Sequence, residues 1–194
     1  RTGESMKFVE LLDEALERAA VAIDEKNPDL SAEQRTDTVH MIGIGAVKYA
    51  ELSTDRIKDY VFDWDRMLSF DGNTGPYLQY AHARICSIFR RAGIDRPSVR
   101  GVDIEVGTPQ ERALALRLLA YPTAIDTTLE TYSPHKLCTY VYDLATDFTA
   151  FYEHCPVLKA DEPLRSSRLA LCDLTARTLQ HALGLLGIDA PEQM

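Results

Sequence analysis

The stretch Asp71-Gly72-Asn73-Thr74-Gly75-Pro76-Tyr77-Leu78-Gln79-Tyr80-Ala81-His82-Ala83-Arg84 changes character halfway. Asp71 to Pro76 is turn chemistry, with two glycines, an asparagine and a proline in six residues. From Tyr77 to Arg91 there is neither Gly nor Pro, and residues 77, 78, 81, 85, 88 and 89 are apolar or aromatic at helical spacing. Thr74 is placed to cap this helix, and Pro76 is tolerated in the first turn because its missing N–H would be unpaired there. Tyr77, Tyr80 and Arg84 recur at i, i+3 and i+7, so they are expected on one face. That face carries flat rings, hydroxyls and a fixed cation beside a glycine-rich loop. It suits stacking and pairing with unpaired bases; the plainer reading of the residues alone is burial as a tyrosine-rich core face.

The chain has 194 residues and a formal net charge of −9. The length fits one domain, or one with a small attachment. An apolar share of 45% and a charged share of 26% are those of an ordinary globule. No apolar run approaches the roughly 18 residues a membrane span needs. The start at Arg1-Thr2-Gly3-Glu4 has no apolar signal region and no initiator Met, so the chain reads as a fragment of a larger protein. The acidic total excludes a non-specific, charge-driven nucleic-acid binder but not a shaped RNA site. Between Arg84 and Arg100 five arginines (84, 90, 91, 96, 100) face one acid, Asp95. They are either a solvated helix end or phosphate contacts. The four cysteines, at 86, 138, 155 and 172, form no CxxC pair, so reduced thiols in a cytoplasmic protein are expected and a zinc site is not.

Around the central stretch, alternation over Ser5–Val9 predicts a short strand, and a helix follows from about Val9 to Glu25, stopped by Asn27-Pro28. Ser31 with Gln34 is a capping-box pair opening a second helix. Gly43 and Gly45 inside it point to close backbone approach, more often by a neighbouring helix than by a ligand. Ile57–Phe62 suits a second extended segment, and Asp63 starts a short helix. Asp95–Pro109 is polar and rich in Arg, Gly and Pro, and is expected to be the least ordered part. Thr108-Pro109, Ser133-Pro134 and Asp161-Glu162-Pro163 then open helices, with a further helix from Ala124 to Tyr132. The helix after Ser133 places Leu137, Val141, Leu144, Ala145, Phe148 and Tyr152 on one face. The expected fold is mainly α, a helical bundle preceded by a small α/β segment.

No Walker-type loop, Ser-His-Asp motif or paired metal-ligand spacing is present. No catalytic residue and no metal ligand is assigned.

Several blocks carry a family resemblance: Ile44–Ala50, Tyr60–Asp65, Gly72–Arg84, Tyr140–Ala145, Phe151-Tyr152 and Gly187–Met194. In this order and register they closely resemble arginyl-tRNA synthetase. The likeness covers essentially the whole chain and thins over Arg96–Pro109. It implies a class I synthetase whose catalytic domain and ATP motif lie upstream, with Arg1-Thr2-Gly3 at the edge of the family's KMSKR-like loop. It implies a stem-contact segment over residues 1–70, the tail of the catalytic region, and an all-α anticodon-binding domain of DALR type over 71–194. The four letters DALR are absent; Tyr142-Asp143-Leu144-Ala145 stands in the corresponding helix. By the same resemblance the tRNA contacts are Gly72, Asn73, Thr74, Gly75, Pro76, Tyr77, Tyr80, Arg84, Tyr152 and Met194.

The implied function is the tRNA-binding C-terminal part of an arginine–tRNA ligase. Arginine tRNA is the expected partner, without DNA or membrane, in a cytoplasmic monomer. The fragment needs no cofactor, while the whole enzyme would use ATP with magnesium and the fragment alone would be inactive. The alternative is a free-standing helical protein-interaction module derived from such an enzyme.

Overall fold

The computed structural model describes residues 7–59 and 62–194. The chain runs α1 (Phe8–Lys26), α2 (Ala32–Ser53), the short α3 (Trp64–Met67), α4 (Gly75–Ala92), a 3₁₀ turn (Arg96–Val99), α5 (Pro109–Leu119), α6 (Tyr121–Thr131), α7 (Pro134–His154) and α8 (Leu164–Leu185). Among the described residues there is no strand, so the mainly α class holds without the two expected β segments. Phe8 and Val9 lie in α1, because Glu10 turns back to accept the Lys7 N–H at 3.1 Å and starts the helix there. Around Ile57, Asp55 folds the chain into a turn: its carboxylate takes the Ile57 N–H and its carbonyl the Lys58 N–H. A short alternating run has no stability without a partner strand, and a local cap or turn prevails. Arg1 to Met6, with Tyr60 and Val61, lie outside the described residues.

Caps at Ser31, Thr74 and Thr108 form as read from the sequence, whereas Ser133 opens α7 without one, its hydroxyl donating to the Thr131 carbonyl at 3.0 Å. Ser31 and Gln34 exchange bonds at the start of α2. Thr74 accepts from the Tyr77 N–H at 3.2 Å. Thr108 and Glu111 box α5. Pro122 sits in the first turn of α6, which begins at Tyr121, ahead of the expected Ala124.

The main core is built by α4, α5, α7 and α8, with Leu78, Ile85, Leu114, Leu144, Phe148, Phe151 and Leu179 fully enclosed. On α7 the inward aromatic after Phe148 is Phe151; Tyr152 stays at the rim. A second apolar region joins α1 to α2, where Ala19, Ile23, Val39 and Ile42 meet Leu68, Phe70 and Met194.

Two glycines set the helix crossings of α2. At Gly43 a Cβ would lie 3.1 Å from the Ala15 carbonyl of α1. At Gly75, the first residue of α4, a Cβ would lie 2.9 Å from the Gly45 carbonyl. Helix α4 therefore starts in backbone contact with α2.

Arg96–Pro109 is not the loose connection its composition suggests. The buried Ser167 hydroxyl takes the Glu105 N–H at 2.8 Å. The buried Glu111 carboxylate takes the Gly107 and Thr108 N–H groups and faces Arg168 Nε at 2.7 Å. Burial alone would raise the Glu111 carboxyl; the Arg168 bond and the two N–H donors outweigh it and hold it below its ordinary range. Ser167 and Arg168 lie about 60 residues away in sequence, on α8, which local composition does not register.

Gly75→Ala is expected to destabilise the fold by about 1–2 kcal/mol in denaturant unfolding, because the overpacking cost exceeds the gain in helix propensity. The obstructing atom is backbone and has nowhere to move, so an unchanged midpoint would contradict this crossing.

Candidate anticodon-arm interface

Loop 69–74 is shaped from within. The Thr74 hydroxyl donates to the Ser69 carbonyl at 2.6 Å while capping α4. Gly72 turns at φ 80, which favours glycine. Thr74, Gly75 and Pro76 are buried, so they form the base of the loop. Gly72 and Asn73 are its exposed part. The Tyr49 hydroxyl of α2 lies 2.5 Å from Asn73 Oδ1 and 3.1 Å from the Cys138 carbonyl of α7, its one proton shared between them. Asn73 is thus tied to both neighbouring helices.

The three α4 residues expected on one face divide between two neighbours. Tyr77 meets Tyr142 of α7, centroids 5.8 Å apart. Arg84 lies over the Tyr152 ring at 4.8 Å, and that ring stacks on Phe148. Tyr80 turns the other way, edge-on to Phe70, and the Lys26 ammonium lies over both rings at 4.6 and 4.5 Å. Met194 packs in the apolar region that contains Phe70. The predicted residues therefore form two adjoining patches: Asn73, Tyr77, Arg84 and Tyr152 along the α4–α7 seam, and Tyr80 with Met194 toward α1. All four side chains on α4 and α7 are half-buried, each leaving an edge to solvent.

Tyr142, Phe70 and Lys26 are part of this surface and were not singled out by sequence reasoning. Only the packing of α7 on α4, and the approach of the loop before α4 and the end of α1 to Tyr80, bring them there. The arginine run resolves into separate roles. Arg90 Nη1 donates to the Glu192 carbonyl at 2.7 Å. Arg96, Arg100 and Arg177 converge on the buried Asp173. Arg84 is the member of the run placed against the tyrosines.

The last residues are held as an extended strap. Lys48 of α2 donates to the Gly187 carbonyl. The buried Gln79 amide donates to the Asp189 carbonyl at 2.8 Å and to Met41 at 2.9 Å. His82 Nδ1 lies 2.9 Å from the Pro191 carbonyl. Alternate carbonyls, 187, 189 and 191, thus face α2 and α4, the period of an extended chain. Gly45 makes room for the Gln79 amide, since a Cβ there would lie 2.8 Å from Nε2. The strap delivers Met194 to its site.

Among the described residues no cluster of three or more His, Cys, Asp or Glu side chains could hold a metal ion. All four cysteines are free and buried, and burial pushes the Cys138 thiol up to about 12. No described helix is long and apolar enough to cross a membrane.

Residues 78–194 match the family model of the DALR anticodon binding domain. The chain belongs to this family. Residues 1–64 of the chain that carries this DALR domain match the catalytic domain of the arginine class I tRNA synthetases. Curated relatives include the arginine–tRNA ligases of Thermobifida fusca, 55% identical over 195 residues, and Sodalis glossinidius, 54% identical over 195 residues. Each is matched over 100% of this chain and 34% of its own length, so the chain spans about a third of these relatives. Among solved structures, Thermus thermophilus arginyl-tRNA synthetase matches with TM-score 0.89 and 38% identity, over 100% of this chain and 33% of its own. The Plasmodium falciparum arginyl-tRNA synthetase matches with TM-score 0.86 and 34% identity, over 97% and 34%.

Burial lowers the His82 imidazole below its ordinary value of 6.5, against the opposing pull of the Pro191 carbonyl. The unfolded chain therefore binds this proton more readily than the folded DALR domain does. His82 stabilisation is complete above pH 6.5 and is lost as the pH falls toward the folded value. The denaturant midpoint is expected to fall between about pH 7.5 and about pH 5.5, and His82→Gln is expected to flatten that fall. Equal slopes for the two proteins would exclude His82 as its source.

Proposed function

We propose that this chain is the tRNA-binding C-terminal part of an arginine–tRNA ligase and recognises the anticodon arm of arginine tRNA. The observation that carries the reading is the seam where Asn73, Tyr77, Arg84 and Tyr152 lie along α4 and α7 with their edges in solvent. Family membership and the names of the relatives support it. In this reading residues 1–70 are the stem-contact segment at the tail of the catalytic region, and 71–194 are the anticodon-binding domain.

The roles follow from the geometry. Unpaired loop bases stack on rings and pair along their edges, at about 1–3 kcal/mol per stacked base. Tyr77, Tyr152 and Tyr80 are half-buried rings that a base can meet where they open to solvent, Tyr80 beside Phe70 in the region where Met194 packs. Arg84 is held over Tyr152 and keeps donors free for a phosphate or a base edge. Gly72 and Asn73 present backbone and amide at the loop tip. Thr74, Gly75 and Pro76 act indirectly, by fixing the loop on α2, since they are buried. The whole enzyme would join arginine to its tRNA with ATP and magnesium, which this reading places outside the chain. It would work in the cytoplasm as a monomer, without DNA or membrane.

Two measurements test the proposal. The isolated chain should show no ATP–pyrophosphate exchange; measurable exchange would overturn the division of labour. In the full-length protein, Tyr77→Ala should raise KM for arginine tRNA by roughly tenfold, as loss of one stacked base requires, and leave KM for arginine unchanged. Equal effects on both constants would remove the anticodon assignment.

A further inference from the structure

The turn from α6 to α7 holds a tyrosine that the seam does not account for. Tyr132 ends α6 at φ 50 and ψ 43. Among the described residues it is the only one other than glycine with a positive φ. The backbone geometry itself is needed: the Ser133 N–H closes onto the Thr128 carbonyl at 3.1 Å, and Pro134 then opens α7. Glycine or asparagine is the usual residue at such a helix end, because a Cβ is disfavoured there. The ring repays none of this strain within the fold. It is 79% exposed and belongs to none of the three apolar clusters.

Its surroundings are organised. Arg56 Nη1 donates to the Tyr132 carbonyl at 2.9 Å and ties the turn to the end of α2. Tyr132, Arg56, Lys58, Pro134 and His135 line a hollow of about 510 Å³. Glu51 and Asp55 lie on its walls as well, so net charge does not define it. What it offers is an open ring and fixed donors. It also lies along the same helix as the seam: His135 is two turns before Tyr142 on one face of α7, and Tyr142 meets Tyr77.

We infer that Tyr132 is a further RNA-contacting residue: its ring stacks on an unpaired nucleotide of the tRNA beside the one met by Asn73 and Tyr77. Arg56, with most of its donors free, and Lys58 bond the flanking backbone phosphate. This rests on the anticodon-arm reading above. Stacking suits the position because it needs a ring face and tolerates any base.

The test measures melting temperature and arginine-tRNA affinity of the full-length protein for Tyr132→Gly, Tyr132→Phe and Tyr77→Ala. Tyr132→Gly relieves the strain, so its melting temperature should equal or exceed that of the parent while its Kd for tRNA rises about tenfold. Tyr132→Phe keeps the ring and should hold Kd within about twofold. Opposite movement of stability and affinity supports the inference, because a structural tyrosine would move both the same way. If Tyr132→Gly lowers both, or leaves Kd unchanged while Tyr77→Ala weakens it, the inference is wrong and the anticodon reading stands. If neither variant changes Kd, the anticodon reading fails and takes this inference with it.

Discussion

The backbone contact between Gly45 of α2 and Gly75 of α4 is the constraint on which the rest of the molecule depends. Helices usually approach through side chains, at 8–10 Å between axes. Here a Cβ on Gly75 would meet the Gly45 carbonyl at 2.9 Å, so the helices touch main chain to main chain. That proximity brings the Tyr49 hydroxyl within reach of Asn73 and of α7. It also lets Gln79 span from the Met41 carbonyl of α2 to the Asp189 carbonyl of the strap. One crossing therefore positions the loop tip and the chain end together.

From that crossing the interface inherits its rigidity. Three of the rings assigned to RNA already rest on a protein neighbour: Tyr77 on Tyr142, Tyr152 on Phe148, Tyr80 on Phe70. A side chain ordered in advance loses little entropy when a base arrives, and that loss otherwise runs to about 0.5–1.5 kcal/mol per immobilised side chain. The strap does the same for Met194, whose position near the chain end would otherwise fray. Four backbone carbonyls, of Gly187, Asp189, Pro191 and Glu192, are held by side chains of α2 and α4. Backbone carbonyls carry no side-chain identity, so the strap fixes the path of the tail with little demand on its residues.

Helix ends and the inward stripe of α7 were legible in the sequence because they are local: a hydroxyl three residues before an N–H, a proline in a first turn, a spacing of three or four. The extended segments were misread because alternation over five residues is weak, and Glu10 and Asp55 provide local alternatives. Long-range partners were invisible. Nothing near Glu105 announces Ser167, and nothing near Arg96 announces Asp173. The candidate site was legible as a list but not as a shape. An i, i+3, i+7 series spans enough of a helix surface to be divided between two neighbours, and α7 and α1 take one side each.

An acidic chain proposed to bind RNA presents an electrostatic question, and the pairing answers it. Arg96, Arg100 and Arg177 are spent on Asp173, Arg168 on Glu111, Arg117 on Asp143 and Asp147. These five of the chain's fifteen guanidinium groups are thus engaged in ion pairs within the bundle. On the proposed interface the cations facing rings are Arg84 and Lys26, each held over tyrosine. Counterion release scales with the number of phosphates neutralised, so a surface whose cations are these two and, at the α6–α7 turn, Arg56 and Lys58 gains only a limited amount from the phosphate backbone. Its affinity must come mainly from stacked and edge-paired bases, which are available only where the RNA strand is unpaired. A net charge of −9 then works in favour of selectivity, since the molecule as a whole repels duplex and unrelated nucleic acid.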